Sequence, residues 1–134
     1  MSSASRPAWA RWANRITILV VCLVIIFAVR LLPKGFSDDL SRIGQGLPVV
    51  VLMHDRNSVK SQGLMELLNK IRPDYAGRIE FLAVDIDSQE GRAFSRQQAV
   101  GGVVLLCFDA RGARRALLDQ TVDAKSLRSV LQGL

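Results

Sequence analysis

The fold is decided by the stretch Val49-Val50-Val51-Leu52-Met53-His54-Asp55-Arg56-Asn57-Ser58-Val59-Lys60-Ser61. It begins as an apolar run of strand length and breaks into a short polar turn. After the turn, apolar residues recur at helical spacing, at Leu64, Leu67, Leu68 and Ile71. The stretch therefore predicts a strand, a loop and a helix N-terminus, the junction where α/β proteins usually place ligands and chemistry.

The remaining elements of the folded part follow in a regular order. The predicted elements are a helix over 58–72, a strand over 79–84, a helix after Ser88, a strand over 103–108, a hairpin turn over 109–112, a strand over 115–118 and a last helix capped by Asp123 or Thr121. The order β-α-β-α-β-β-α predicts an α/β domain with a mixed four-stranded sheet, in which a parallel unit comes first and an antiparallel hairpin last.

The net positive charge is concentrated at the amino end of the chain. Of the 134 residues, the first 45 contain six basic and two acidic side chains, whereas residues 46–134 contain twelve basic and ten acidic ones. The folded part is therefore nearly balanced and lacks the clustered basic face that binding to nucleic acid requires. No nucleic-acid partner is expected.

Residues 16–33 are predicted to form a transmembrane helix. Only Thr17 interrupts the aliphatic run Ile16–Val29 with a polar side chain, and the segment reaches the lower limit for crossing a bilayer. Four residues are predicted membrane anchors at the two interfaces, namely Trp9, Trp12, Arg15 and Arg30. The basic residues before the run predict a cytoplasmic tail over 1–15 and an exported carboxyl-terminal domain.

Two alternatives to the membrane anchor fit the sequence less well. A cleaved signal peptide needs a small-x-small site after the apolar region, and residues 29–33 supply none. A buried helix of a soluble protein would have to be apolar all round. Residues 34–47 are then a linker with one short helix, for which Ser37 is the predicted N-cap, and the folded domain spans 48–134.

The order of elements resembles that of the thioredoxin-like superfamily. The stretch from Val49 to Asp87 aligns with thioredoxin without a gap, and Val84-Asp85-Ile86-Asp87 falls where thioredoxins end a parallel edge strand. Ala99-Val100-Gly101-Gly102-Val103 is similar to the approach to that family's cis-proline. The resemblance implies a thioredoxin-like three-layer sandwich over about residues 37–134.

This sequence departs from the family at the positions that perform redox chemistry. The cysteines of the family's Cys-x-x-Cys motif are replaced by Ser58 and Ser61. The cis-proline position falls on Val104, where a trans peptide is expected. The family's buried acid falls on Leu52. The resemblance therefore implies a domain that has lost disulfide exchange.

Other residues offer weaker chemistry. Cys22 and Cys107 are predicted to lie in different compartments, so we expect them to be unpaired apolar residues. His54 is a candidate general base beside Ser58, although a lone histidine at a strand end is more often structural. Asp85 and Asp87 are either cation ligands or, more often at such places, turn formers.

Together with the resemblance, the sequence predicts a bacterial inner-membrane protein with a single pass. Its folded domain is expected to be thioredoxin-like, redox-inactive and periplasmic or otherwise extracytoplasmic. Its predicted role is that of a protein-binding accessory or assembly subunit, with the bilayer and other subunits of a membrane complex as partners. The candidate binding surface comprises His54, Arg56, Asn57, Val59, Gly102 and Val103. No cofactor, metal or enzymatic activity is expected. The alternative is an envelope enzyme, either a thiol-disulfide oxidoreductase working through Cys107 or a serine-dependent hydrolase.

Overall fold

The computed structural model describes residues 8–31 and 35–134, which fall into two compact units divided after Gly35. The first unit contains one helix, α1 (Ala8–Leu31), whose apolar side chains from Ile16 to Val29 are exposed. Within the stretches that the structure describes, no helix combines the length and the apolar character required for crossing a membrane.

The predicted amino-terminal segments are only partly covered. Residues 1–7 of the predicted tail, residues 32–33 at the end of the predicted transmembrane helix and residue 34 at the start of the predicted linker lie outside the described residues. The side chains of Trp9 and Arg30 also lie outside them. Of the other two predicted anchors, Trp12 is 70% exposed and Arg15 is also exposed.

The second unit is built on a four-stranded mixed sheet, as predicted. Its strands are β1 (Val49–His54), β2 (Glu80–Asp85), β3 (Leu105–Phe108) and β4 (Arg114–Leu118). They lie in the order β2-β1-β3-β4, with β1 parallel to β2 and antiparallel to β3, and with β3 antiparallel to β4. The sheet thus places the carboxyl ends of β1 and β2 at the same edge as the amino end of β3.

This unit contains three α-helices, and each begins at a polar cap. They are α2 (Val59–Ile71), α3 (Gln89–Gln98) and α4 (Ala124–Gln132), preceded by Ser58, Ser88 and Asp123. Each cap side chain accepts a backbone N–H from the first turn of its helix, which satisfies a donor that has no partner within the helix. Asp123, rather than Thr121, caps the last helix.

The core consists of two apolar clusters on opposite faces of the sheet. Along β1, Val50 and Leu52 face the cluster that includes residues of α2 and α4, whereas Val49, Val51 and Met53 face the cluster that includes Phe94 of α3. Successive side chains of a strand point to opposite faces, so a strand covered on both faces is apolar throughout. This explains why the opening run of the sequence has no polar interruption.

The segment 36–47, which covers most of the predicted linker, is part of the second unit and packs against its other elements. The carbonyl of Ser37 accepts the N–H of Ala83 at 3.0 Å, which adds a parallel bridge outside β2. At the other end, the N–H of Gly46 donates to the carbonyl of Ala110 at 3.1 Å. The guanidinium of Arg72 also lies 4.7 Å from the ring centre of Phe36. The compact unit therefore begins at Phe36, before the predicted domain start at residue 48.

The prediction that Ser37 caps a short helix was wrong. The segment forms a single 3₁₀ turn over Leu40–Arg42, and its cap is Asp39, which accepts the N–H of Ser41. The hydroxyl of Ser37 accepts the N–H of Asp39 at 3.2 Å instead. The reason is that the backbone of Ser37 is held by β2, so the turn begins two residues later.

One close approach fixes the position of α3 on the sheet. A Cβ atom added to Gly91 would lie 1.9 Å from the carbonyl oxygen of Asp85. The hydroxyl of Ser88 donates to that same oxygen at 2.7 Å. The first turn of α3 can reach the end of β2 only because residue 91 has no side chain.

Candidate functional site

The candidate site lies where β1 ends and α2 begins. In the connecting loop, the carboxylate of Asp55 accepts the N–H of Asn57 at 2.9 Å, and the carbonyl of Asp55 accepts the N–H of Ser58 at 3.2 Å. Asp and Asn form such local turns readily because their side chains reach the backbone two residues on. The loop is therefore a compact turn that ends at the helix cap.

An ion pair attaches this loop to the neighbouring parallel strand. The Nε atom of Arg56 lies 2.7 Å from Oδ2 of Asp85, which is aligned with His54 in the β1–β2 register. The Asp85 carboxylate also accepts the N–H of Asp87 at 2.9 Å. Asp85 therefore acts as a turn former and as the partner of Arg56. Among the described residues, no group of three or more potential metal ligands comes together.

The two serines at the start of α2 have different environments. Ser58 is half-buried, and its hydroxyl accepts the N–H of Ser61 at 3.4 Å as a helix cap. Ser61 is fully buried, and its Oγ accepts the N–H of Asp55 at 3.1 Å. That oxygen also lies 2.6 Å from Nδ1 of His54. Ser61 thus joins the end of β1 to the first turn of α2.

The structure pairs His54 with Ser61, and not with Ser58, beside which His54 was a candidate general base. A hydrogen bond between a serine and a histidine can activate the hydroxyl for nucleophilic attack, provided that a substrate reaches the oxygen. The Ser61 hydroxyl has no exposed surface and already accepts a backbone N–H. The geometry is that of a structural tie between strand and helix, and it does not present a nucleophile.

Leu52 and Val104, two positions that the sequence resemblance singled out, also lie beside this junction. Leu52 is fully buried in β1, in the cluster under α2 and α4. The carbonyl of Val104 accepts the N–H of Met53 at 2.9 Å, which brings residues 101–104 beside the end of β1. Among the described residues, no peptide bond is cis, and the bond before Val104 is therefore trans.

The surrounding surface is exposed and chemically mixed. Val59, at the first position of α2, is 81% exposed, and Arg56, Asn57 and Lys60 beside it are exposed as well. Gly102 is exposed and has a φ of 74°, a conformation that glycine adopts without strain. Val103 is only half-buried and packs against the core. The sheet edge therefore carries one prominent apolar side chain among polar and glycine residues.

Cys107 lacks the properties of a reactive thiol. It is fully buried in β3, and burial raises the pKa of its thiol from 9.0 to about 11. The thiolate is the reactive form of cysteine, so a raised pKa suppresses both exchange and metal binding. Cys22, the other free cysteine, is exposed on α1.

Comparison with known proteins identifies a solved structure of similar fold but does not indicate a function. No family model matches the chain, and no curated protein matches it. Among solved structures, it resembles one described as the structure of a malarial protein, with a TM-score of 0.57 and 17% sequence identity. The match covers 65% of this chain and 96% of the other. At this identity the likeness concerns the fold alone.

Proposed function

We propose that residues 36–134 form a redox-inactive thioredoxin-like domain that binds polypeptides. The order of elements and the strand pairings support the fold, since a parallel β-α-β unit is followed by an antiparallel hairpin and a last helix. The alignment of Ser58 and Ser61 with the first turn of α2 supports the register, because the family's two cysteines occupy the start of the corresponding helix.

The observation that carries the binding function is the exposure of Val59. The side chain of Val59 is aliphatic and 81% exposed, so its burial by a partner would stabilise the complex. The adjacent Arg56 and Asn57 supply a polar rim, as protein interfaces commonly have. Ser61, the serine that contacts His54, is buried, and burial raises the pKa of the Cys107 thiol, so neither group supports the enzymatic alternative.

The domain is proposed to be an accessory subunit held at a bacterial inner membrane. The aliphatic run Ile16–Val29, bounded by Arg15 and Arg30 in the sequence, supports the anchor. The proposed orientation has the amino end in the cytoplasm and the domain in the periplasm. A reporter that is active only outside the cytoplasm, fused after Leu134, should be active. A silent reporter, with activity from the corresponding cytoplasmic reporter, would reject this orientation.

Site-specific photocrosslinking tests the binding function directly. A photoreactive amino acid placed at Val59 should give discrete adducts with another membrane or envelope protein when intact cells are irradiated. The matched control is the same amino acid at Glu66, which is exposed on the same helix. Adducts of equal yield and pattern at both positions, or none at Val59, would contradict a binding surface at this edge.

The enzymatic alternative predicts different behaviour. A thiol-disulfide oxidoreductase working through Cys107 would reduce insulin disulfides in the presence of dithiothreitol faster than dithiothreitol alone. A binding domain with a buried thiol should give the background rate. Acceleration that disappears in Cys107→Ser would replace the proposed function with redox catalysis.

A further inference from the structure

A second surface lies on the opposite face of the sheet from α2 and α4. A groove of about 460 Å³ runs between α3 and the segment 36–47. Leu40 and Ile43 form one apolar wall, Ala93 lies on the other, and Phe94 and Phe108 contribute the floor. Leu40 and Ile43 are only partly buried, so they keep apolar surface that a partner can cover.

One end of this groove is acidic. A neighbouring depression of about 410 Å³ is lined by Asp38, Asp39 and Glu90, and it shares Leu40 and Glu90 with the groove. The two depressions therefore lie side by side. Carboxylates stand at one end and aliphatic side chains follow, an arrangement that complements a cation adjoining an apolar group.

The nearby cation does not neutralise all of these carboxylates. Arg42 lies 3.0 Å from Glu80 and 3.6 Å from Asp39, and hydrogen bonds from Ser41 hold the pKa of Asp39 below its ordinary value. Within residues 35–134, none of the ion pairs or side-chain hydrogen bonds involves the carboxylate of Asp38 or Glu90. Within the described part of the chain, two exposed carboxylates therefore remain available to a positively charged partner.

We propose that this groove is a second docking site, which binds a polypeptide segment combining a lysine or arginine with an adjoining aliphatic or aromatic side chain. The cation lies at Asp38 and Glu90, and the apolar side chain covers Leu40, Ile43 and Ala93. Both parts contribute, since burial of apolar surface supplies affinity and the carboxylates select the orientation. Anionic partners such as nucleic acids and acidic lipid surfaces are repelled by the same carboxylates.

The test uses the full chain in non-ionic detergent and a dye-labelled probe peptide, Lys-Leu-Phe-Lys-Leu, followed by fluorescence anisotropy. The wild-type chain should bind this peptide with a dissociation constant below about 1 mM and should bind the charge-reversed peptide Glu-Leu-Phe-Glu-Leu at least tenfold more weakly. Empty micelles supply the background.

Two variants assign the binding to the groove. The double variant Asp38→Asn/Glu90→Gln should bind at least fivefold more weakly, and Ala93→Arg should abolish binding because it fills the groove and adds a positive charge. Ser129→Arg is the matched control on α4, where the same side chain should leave affinity unchanged. Its position is exposed in the structure, as is that of Ala93.

Three results would overturn the proposal. The first is the absence of binding by the wild-type chain at about 1 mM peptide. The second is equal binding of the two peptides, or binding that Ala93→Arg leaves intact. The third is self-association of the wild-type chain in sedimentation experiments that Ala93→Arg removes and Ser129→Arg does not, which would assign the groove to a second copy of this chain.

Discussion

Nδ1 of His54 lies 2.6 Å from Oγ of Ser61, and the same oxygen accepts the backbone N–H of Asp55 at 3.1 Å. One buried hydroxyl therefore holds the last residue of β1, the first residue of the loop and the first turn of α2 together. In the proposed thioredoxin-like register, Ser61 takes the position of a redox cysteine. Here that position fixes the shape of the junction on which Val59 is presented.

Replacement of Ser61 by alanine should therefore destabilise the domain more than replacement of Ser58. Ser61→Ala leaves the Asp55 N–H and the His54 ring without their partner and should lower the free energy of unfolding by about 2 kcal/mol. Ser58→Ala removes only a cap and should cost about 1 kcal/mol. Urea unfolding followed by circular dichroism measures both losses of stability. A loss in Ser61→Ala equal to or smaller than that in Ser58→Ala would contradict the structural role of the Ser61 hydroxyl.

Leu52→Asp tests the register of β1. It would place a carboxylate in the apolar cluster under α2 and α4, where no described side chain offers it a cation, and should cost several kcal/mol at neutral pH. The matched control is Leu117→Asp on β4, because Leu117 is 49% exposed and the change should cost less than about 1 kcal/mol. Similar stabilities of the two variants would mean that residue 52 does not face the core.

Two glycines within helices should respond in opposite ways to alanine. Gly91→Ala forces a Cβ against the Asp85 carbonyl, so α3 must shift away from β2, and a loss of at least about 2 kcal/mol is expected. Gly63, in α2, has no atom within 4 Å of an added Cβ. Gly63→Ala should therefore stabilise the domain by up to about 1 kcal/mol, the usual helical preference for alanine. Thermal unfolding of both variants checks the prediction, which fails if Gly91→Ala is neutral.

The buried thiol gives a prediction with a defined pH dependence. Burial raises the pKa of Cys107 from 9.0 to about 11, so the neutral thiol is favoured in the folded state. This contribution to stability is complete below pH 9 and is lost as the pH rises through about 11. In a Cys22→Ser background, Ellman's reagent at pH 8 should react with the single remaining thiol only after denaturation. Rapid reaction of the folded chain at pH 8 would show that Cys107 is accessible.

Restoring both cysteines tests the thioredoxin-like proposal. In Ser58→Cys/Ser61→Cys, the new thiols stand at the cap and in the first turn of α2, and the helix N-terminus should favour the thiolate. We expect a disulfide under air oxidation but little insulin reduction, since Val104 and Leu52 replace the family's cis-proline and acid. Failure to form the disulfide in the folded protein would reject the register. Turnover as fast as an ordinary thioredoxin would reject the claim that the surrounding site has lost its redox role.

Local patterns predicted most of the sheet and its helices. The apolar run at Val49 identified β1 because a strand that is covered on both faces is apolar at every position. Ser58 and Ser88 identified two helix starts because their side chains accept a backbone N–H within the first turn. The third strand begins at Leu105 rather than residue 103, since the backbone at Gly102 takes a positive φ before the pairing with β1 starts.

The missed features depend on contacts that are distant in sequence. The His54–Ser61 hydrogen bond joins residues seven positions apart, across a loop that the Arg56–Asp85 ion pair attaches to the neighbouring strand. The pairing of Ser37 with β2 spans more than forty residues, and no local signal separates it from a helix cap. The groove beside α3 was also not predicted, because its two walls come from separate parts of the chain.

The bridge between Ser37 and Leu82 has a consequence for association through the sheet. Exposed strand edges recruit other strands and lead to aggregation, and proteins commonly prevent this by covering an edge or by placing charges on it. The chain covers part of its own β2 edge with Ser37, whereas β4, at the other edge, begins with the exposed arginines Arg114 and Arg115. Each edge thus has its own obstacle to strand addition, and the domain should stay free of cross-β association when many copies are crowded together.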